Sequence, residues 1–452
     1  MKTLLALATT ALALGLAASA SSAPTTAKLK VRGGFGTLVA PGDRLVARYS
    51  VYSGSKAVRG TLYVRNDLQK RFSRLPLTRA AGYSVTVPTR LIRGRLLTYY
   101  ASFRDPKSGR RVVFAKRTAW VLSKPVVVKL GAHKFGQTQA STDVVASASA
   151  NQVGWDISDQ FHLGPQTFQT AADGSVWLED SFNNRLLIWN PGSPGGFARS
   201  VPIPWGAGLS DVAFGPAGEL YVTRKAFDPT RLVLDRLDPA TGEIVWENQV
   251  GQQYGGGPSG DSYPIIGSSS PLRLGPDGTL YYLVWMGRSS EEWGWMPVAT
   301  PAGTALSPNA QVAGIHWPFQ PLHGGLRLVG LEVYMAHDDG APHEIRYALV
   351  NRAGRVVRSW RIQSTTDMNF HQIAPDLAGG DPVVVVDFRD GGQWEYEVLR
   401  LGPHGAVAKL SLRHGLFGAS VLPDLRVGAD GKLYQLSTSP DTGITVTRFP
   451  LG

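Results

Sequence analysis

The sequence predicts an all-β protein in which a six-bladed β-propeller follows a small β-sandwich. Short apolar stretches alternate with polar residues at every second position, as expected for strands with one buried face. The 452 residues include 52 Gly and 30 Pro without a collagen-like period, which is typical of a fold with many tight turns. A unit of about 50 residues recurs through the C-terminal two thirds, and such a period is typical of propellers and solenoids.

The first 20 residues predict a secretory signal peptide. Lys2 gives a basic start, an apolar stretch follows from Leu4 to Ala17, and Ala18-Ser19-Ala20 matches a small-x-small cleavage pattern. The apolar stretch is too short for a membrane helix of about 20 residues. We therefore expect a secreted bacterial protein, periplasmic or extracellular, whose mature chain has no transmembrane segment.

The sequence contains no cysteine, which limits the covalent bonds, catalytic groups and metal ligands that the protein can use. It excludes disulfides, thiolate catalysis, cysteine-ligated zinc and a lipid anchor attached to cysteine. No phosphate-binding glycine loop, nucleophile elbow or calcium loop is evident either. We therefore expect no cofactor and no metal site.

Charge divides the chain into two parts. Residues 28–125 hold 22 Lys and Arg but only three acids, Asp43, Asp67 and Asp105, in a chain with a net charge of +12. The remainder is therefore acidic. This shift predicts a domain boundary near Lys124–Lys129.

The basic part predicts an immunoglobulin-like sandwich over residues 28–125. Segments such as Leu45–Tyr52, Gly60–Asn66 and Leu96–Arg104 alternate at period two, and about seven short strands in about 100 residues fit that fold. Its charge favours docking to an anionic envelope polymer or lipid, although a basic face that only aids solubility is the alternative. No nucleic-acid motif appears, and export argues against a genomic target. Residues 126–150, rich in small polar residues, are expected to form a linker.

Residues 151–452 contain the repeat. The segment Phe168–Leu186 combines a strand, an Asp-Gly turn, an aromatic strand and an Asp-Ser-x-Asn-x-Arg loop, and it resembles the NHL repeat. The resemblance implies a propeller in which Asp180, Asn184 and Arg185 brace a loop. The strand-turn-strand unit recurs in the following segments: Val212–Tyr221, Leu272–Tyr281, Leu326–Tyr334, Gln372–Val386 and Leu425–Tyr434.

The last unit lacks a fourth strand after Ile444–Phe449. Propellers often close when an N-terminal strand completes the last blade, because closure removes an exposed sheet edge. We expect Asn151–Ile157 to supply that strand. This closure predicts six blades, with five or seven as the alternatives.

Candidate catalytic residues are histidines on one predicted face of the propeller. His162, His323, His371 and His414 each lie shortly before an inner strand, where an imidazole can act as general acid, general base or metal ligand. Neither a His-x-His nor a His-Glu-x-x-His spacing supports a metal site. Histidines that only hydrogen-bond within loops are the alternative.

Candidate ligand-binding residues comprise arginines and tryptophans. Arg273, Arg327 and Arg426 are predicted at equivalent inner-strand positions, with Gln169 and Gln372 at two others. Facing the channel, they would form a ring of donors for a carboxylate or phosphate; facing the blades, they would bond backbone carbonyls. The tryptophans expected on the loop face are Trp205, Trp285 and Trp317.

These observations lead to two hypotheses for function. The first is an envelope binding protein, whose propeller face binds a small molecule, glycan or peptide while the basic domain docks on anionic material. The second is an enzyme of the lyase, lactonase or hydrolase type, with histidines at the channel mouth, as in some NHL-like propellers. Fold alone does not choose between them.

Overall fold

A computed structural model describes most of the chain after residue 29. The described residues are 30–34, 38–52, 57–80, 82–114, 116–157, 162–203, 211–225, 231–252, 271–275, 277–285, 293–306, 319–334, 343–370, 376–417 and 424–452. They form 36 strands, no α-helix and four short 3-10 turns at Thr89–Leu91, Ala150–Gln152, Ser181–Asn183 and His323–Gly325. None of the described helical turns is long and apolar enough to cross a membrane.

The first nine strands form one continuous sheet. They are β1 (Lys30–Gly34), β2 (Leu38–Val39), β3 (Val46–Tyr52), β4 (Arg59–Asn66), β5 (Ser73–Ala80), β6 (Gly82–Thr86), β7 (Leu96–Arg104), β8 (Arg111–Val113) and β9 (Arg117–Val121). Strand β5 pairs with both β4 and β6, in the order β1-β3-β6-β5-β4-β7-β9-β2. Tyr49 of β3 and Tyr83 of β6 share one core with Leu62 of β4 and Phe103 of β7, so the sheet closes over itself.

Six blades follow, as the repeat predicts. Four strands precede them: β10 (Val126–Gly131), β11 (Val144–Ala148), β12 (Asp156–Ile157) and β13 (His162–Leu163). Blade 1 holds β14 (Phe168–Thr170), β15 (Val176–Asp180), β16 (Arg185–Trp189) and β17 (Arg199–Pro202); blade 2 holds β18 (Val212–Phe214), β19 (Leu220–Lys225), β20 (Arg231–Leu237) and β21 (Ile244–Gln252). Blade 3 holds β22 (Leu272–Leu274), β23 (Leu280–Trp285) and β24 (Trp293–Ala299).

The second half of the ring has the same layout. Blade 4 holds β25 (Phe319–Pro321), β26 (Arg327–Tyr334), β27 (His343–Val350) and β28 (Val356–Ser364). Blade 5 holds β29 (Asn369–Phe370), β30 (Asp376–Ala378), β31 (Asp381–Asp390), β32 (Gln393–Gly402) and β33 (Gly405–Arg413). Blade 6 holds β34 (Leu425–Val427), β35 (Leu433–Ser439) and β36 (Gly443–Phe449).

An N-terminal strand closes the ring, but it is not the expected one. Strand β11 pairs antiparallel with β36, with Ala146 opposite Val446. The expected strand Asn151–Ile157 is wrong, because Ala150–Gln152 form a 3-10 turn and β12 pairs with β13 instead. Small residues on one face of β11 allow the close approach: Ala146 is fully buried, and Trp189 donates its indole N–H to the Ser147 carbonyl oxygen at 3.0 Å.

The segment 126–150, expected to be a linker, contributes strands to the propeller. Strand β10 pairs parallel with β28 as a fifth strand of blade 4. The Gln139 N–H donates to the Ser411 carbonyl oxygen in blade 5 at 2.7 Å, and Asp143 pairs with Arg448 in blade 6 at 2.7 Å. We call residues 126–148 the strap, because they contact the outermost strands of blades 4 and 5 and complete blade 6.

The basic domain packs on blade 4. Arg346 of β27 binds both carboxylate oxygens of Asp43, with one contact of 3.0 Å, and the Trp120 indole N–H donates to the Gly354 carbonyl oxygen at 3.2 Å. One buried apolar cluster joins the two parts: Leu38, Ala40, Leu122, Val329, Ala348 and Val350.

Substituting the closing strand tests the closure. Ala146→Glu should lower the free energy of unfolding by about 3 kcal/mol or more, because it buries a charge without a partner. Ile157→Glu is the control, since Ile157 is 59% exposed and surface changes usually cost less than about 0.5 kcal/mol. Urea unfolding followed by tryptophan fluorescence gives both values. Equal destabilisation by the two variants would contradict closure by β11.

Candidate functional site

An ion network lies where the inner strands begin. Asp211 directly precedes β18, and its carboxylate is fully buried. It accepts hydrogen bonds from the Thr167 hydroxyl at 2.6 Å, from the Leu272 N–H at 2.8 Å and from Arg426 of β34 at 2.7 Å. Arg426 also donates to the Phe168 carbonyl oxygen at 3.2 Å. Residues of blades 1, 2, 3 and 6 therefore meet at one carboxylate.

A second pair lies beside this network. Arg273 of β22 lies 3.4 Å from Asp376 of β30. Burial lowers the pKa of Arg273 to about 10, with Asp376 acting to raise it and Arg426 to lower it. The pairs join blade 2 to blade 6 and blade 3 to blade 5. Because neither pair of blades is adjacent, the side chains span the axial region of the propeller.

Two of the three arginines occupy the predicted inner-strand positions. Arg273 lies in β22 and Arg426 in β34, and each guanidinium has a protein carboxylate as its partner. The placement of Arg327 is wrong: it begins β26, and Gln320 in β25 takes the inner position of blade 4. Gln169 lies in β14, while Gln372 falls outside the described residues. Ligand binding by these residues stays a prediction.

His414 is the one catalytic candidate whose side chain is described. It follows β33 and stacks on the Trp394 indole at 3.8 Å with an interplanar angle of 9°. The Arg389 guanidinium also lies 3.8 Å from that indole, so the two groups must cover opposite faces of it. His162 lies in β13 and His323 lies in a 3-10 turn, but the structure describes only the backbone of these two residues. His371 falls outside the described residues.

Two buried acids, Asp387 and Asp424, interact with Tyr396, which His414 also contacts. The His414 ring contacts the edge of Tyr396 at 5.6 Å, and burial raises the pKa of Tyr396 well above its usual value, helped by Asp424 and Asp387. Tyr396 therefore stays protonated and hydrogen-bonds Asp424.

Of the three candidate tryptophans, Trp285 lies in β23 without a described side chain, and Trp205 and Trp317 fall outside the described residues.

Sequence reasoning missed a buried histidine in the strap. His133 places its Nε2 2.9 Å from Glu395 and its Nδ1 3.0 Å from Glu397, with all three side chains at most 5% exposed. The ring also stacks on Phe388 at 4.2 Å. Glu395 and Glu397 are two apart on β32 and therefore share a face, which is the one signal that the sequence offered. No group within the described residues has the arrangement of a metal site.

A further buried acid lies in blade 2. Asp235 is fully buried and binds Arg224, which also binds Glu247. Burial raises the pKa of Asp235 to about 6, against the lowering effect of Arg224. This cluster braces β19, β20 and β21 near the loop face.

Comparisons with known proteins do not assign the chain to a family. No protein-family model and no curated protein matches the chain. Among solved structures, the chain is similar to virginiamycin B lyase from Staphylococcus aureus, with 9% identity, a TM-score of 0.26, and coverage of 93% of this chain and 99% of that one. It is also similar to luciferin-regenerating enzyme, with 8% identity, a TM-score of 0.34, and coverage of 69% and 96%. Values this low assign no activity to the chain.

Removing one partner of the axial network tests its role. Arg426→Met should lower the free energy of unfolding by about 3–5 kcal/mol, because Asp211 stays buried without its cation. The double variant Arg426→Met/Asp211→Asn should recover part of that loss, and chemical unfolding measures the coupling. Unchanged stability of the single variant would contradict a structural role.

The pH dependence of unfolding tests Asp235. Its pKa is higher in the folded than in the unfolded chain, so the folded state binds the proton more tightly. The contribution of Asp235 to the free energy of unfolding is therefore complete below about pH 4. It is lost as the pH rises through about 6, and the loss amounts to about 2–3 kcal/mol. Asp235→Asn should abolish this component in urea titrations between pH 4 and 7. Parallel curves for the wild type and the variant would contradict the assignment.

Proposed function

We propose that the protein is a secreted bacterial binding protein of the envelope. The basic domain, immunoglobulin-like in our interpretation, docks on anionic envelope material. The propeller, interpreted as NHL-like, presents its loop face to a small molecule, glycan or peptide. The observation that supports the proposal is a difference in charge between the two parts of the chain: the basic domain has far more cations than acids, whereas the propeller does not.

Each acid of the basic domain already has a partner. Asp43 binds Arg346 of the propeller, and Asp67 binds Arg95 at 3.1 Å. Asp105 accepts hydrogen bonds from the Lys107 N–H and the Ser108 hydroxyl, both at 2.9 Å, within its own turn. With 22 cations in residues 28–125, most of the positive charge therefore has no acid of its own domain to offset it.

Three buried arginines of the propeller pair with carboxylates of the propeller itself, and residues 126–452 hold more acids than cations. Arg426 meets Asp211, Arg273 meets Asp376, and Arg224 meets Asp235. Long-range attraction of polyanions by this protein therefore arises from the basic domain.

The loop face supplies the second half of the proposal. The stack of Arg389, Trp394 and His414 offers an exposed arginine that an indole holds in place. Trp205, Trp285 and Trp317 remain candidates for the same surface. The enzyme hypothesis instead depends on His162, His323 and His371 as acid or base groups, with His414 stacked against an indole.

Salt-dependent retention tests the docking proposal. The full mature chain should be retained on an anionic cell-wall fraction at about 0.1 M salt and released near 1 M, because the Debye length falls from about 10 Å to about 3 Å. An uncharged polymer, presented as particles of the same size as the cell-wall fraction, is the control. Retention that does not change with salt, or equal retention on the uncharged polymer, would contradict docking by charge.

A further inference from the structure

The sheet of the basic domain has one face that points away from the core. On β4, Leu62 and Val64 are buried, whereas Arg59, Thr61, Tyr63 and Arg65 alternate with them. Register places further residues on the same face: Arg74 and Pro76 of β5; Thr98, Tyr100, Ser102 and Arg104 of β7; Arg111 and Val113 of β8. We call this set the outer face. It contains no acid.

Three arginines form a row across the outer face. Arg59 pairs with Arg104, and Arg104 pairs with Arg111, on the neighbouring strands β4, β7 and β8. All three are exposed, and strands lie about 4.8 Å apart, so the Cα atoms of the three arginines fall within about 10 Å. Like charges directly opposite each other destabilise a sheet. A bound polyanion would remove this repulsion.

Aromatic rings hold two more arginines beside that row. Tyr63 stacks on Tyr100 at 4.6 Å and 2°, while Arg74 lies over Tyr63 at 5.8 Å from the other neighbouring strand. Phe72 meets the edge of Tyr100 at 5.2 Å, and Arg65 lies over Phe72 at 4.8 Å. Both faces of Tyr63 are therefore covered, and the rings orient guanidinium groups.

The chemistry of this face favours one class of partner. Binding of single-stranded nucleic acid relies on open aromatic faces on which bases stack, and Tyr63 offers none. Between the arginines lie hydroxyl groups, those of Thr61, Ser102, Tyr63 and Tyr100, which can exchange hydrogen bonds with sugar hydroxyls. Guanidinium groups bind carboxylates in a bidentate manner.

We propose that the outer face binds a linear acidic polysaccharide, with the row Arg59–Arg104–Arg111 holding its carboxylates. This inference rests on the proposed function, because it assigns the docking of the basic domain to one surface and one class of polymer. The row carries the charge contacts, and the tyrosine and hydroxyl row beside it contacts the sugar rings.

Binding to polygalacturonate tests the proposal with the full mature chain. The variant Arg59→Gln/Arg104→Gln/Arg111→Gln should bind about tenfold or more weakly at about 0.15 M salt, since each exposed ion contact contributes up to about 1 kcal/mol. The control variant Arg48→Gln/Arg90→Gln/Arg93→Gln removes three exposed arginines that do not belong to the outer-face set, because Arg48 lies on β3 and Arg90 and Arg93 lie in or just after the turn at Thr89–Leu91. It should lose less than about threefold, because screening limits distant charges.

Stability provides a second measurement. The outer-face variant should unfold at the same or a higher urea concentration than the wild type, because it relieves like-charge repulsion. A loss of binding together with a loss of stability would overturn the assignment of these arginines to a binding surface.

Other outcomes separate this inference from the proposed function. Equal losses in both triple variants would mean that total charge alone drives docking, which overturns the inference and leaves docking intact. Tighter binding of a single-stranded oligonucleotide through the same three arginines would also overturn it. Lack of binding to polygalacturonate by a wild-type chain that the cell-wall fraction retains would overturn the polysaccharide class, whereas lack of retention there would overturn the proposed function.

Discussion

Closure of the ring is the constraint on which the rest of the structure depends. A propeller blade is a sheet whose two faces pack against its neighbours, so a ring with an open end exposes an apolar face and a sheet edge. Strand β11 removes both by pairing with β36, where Ala146 and Ala148 lie beside Trp189 and Ile444 in one core. Closure also joins residues about 300 positions apart, which makes it a long-range contact that forms against a large chain entropy.

The strap follows from this closure. The chain leaves the basic domain at blade 4 and must reach blade 6 before it enters blade 1, so it crosses blade 5. His133 fixes that crossing, because an imidazole whose two nitrogens both face carboxylates holds the backbone of residues 133–136 against β32. The position of the basic domain is therefore set at two places, by the strap and by the contact of Asp43 with Arg346.

Repeats reveal blades, but they do not reveal which distant segments pair. The Asp-Gly and Ala-Gly turns in the sequence predicted the strands of most blades. In the structure, the glycines of these turns adopt the positive φ that glycine permits: Gly174, Gly218, Gly278 and Gly431. The strap was missed because its small polar residues resemble a linker and its partners lie far away in the sequence. Arg327 was misplaced because Leu326–Leu328 repeats the inner-strand pattern, whereas the register shift between Gly330 and Glu332 marks a bulged second strand. The buried partners of Arg426 and His133 depend on three-dimensional packing, which no spacing along the chain encodes.

In the proposed function, the basic surface that would dock lies away from the propeller contact. The propeller contact of Trp120 lies opposite Leu96, the first residue of β7, while Arg104 is the last residue of that strand. At about 3.3 Å per residue, eight steps along β7 place the arginine row about 26 Å from this contact. A polymer lying across the arginine row therefore has room beside the propeller. In the proposed function, the charged surface would hold the protein on an anionic matrix, while the loop face, which belongs to the acidic part of the chain, would stay open to a different ligand.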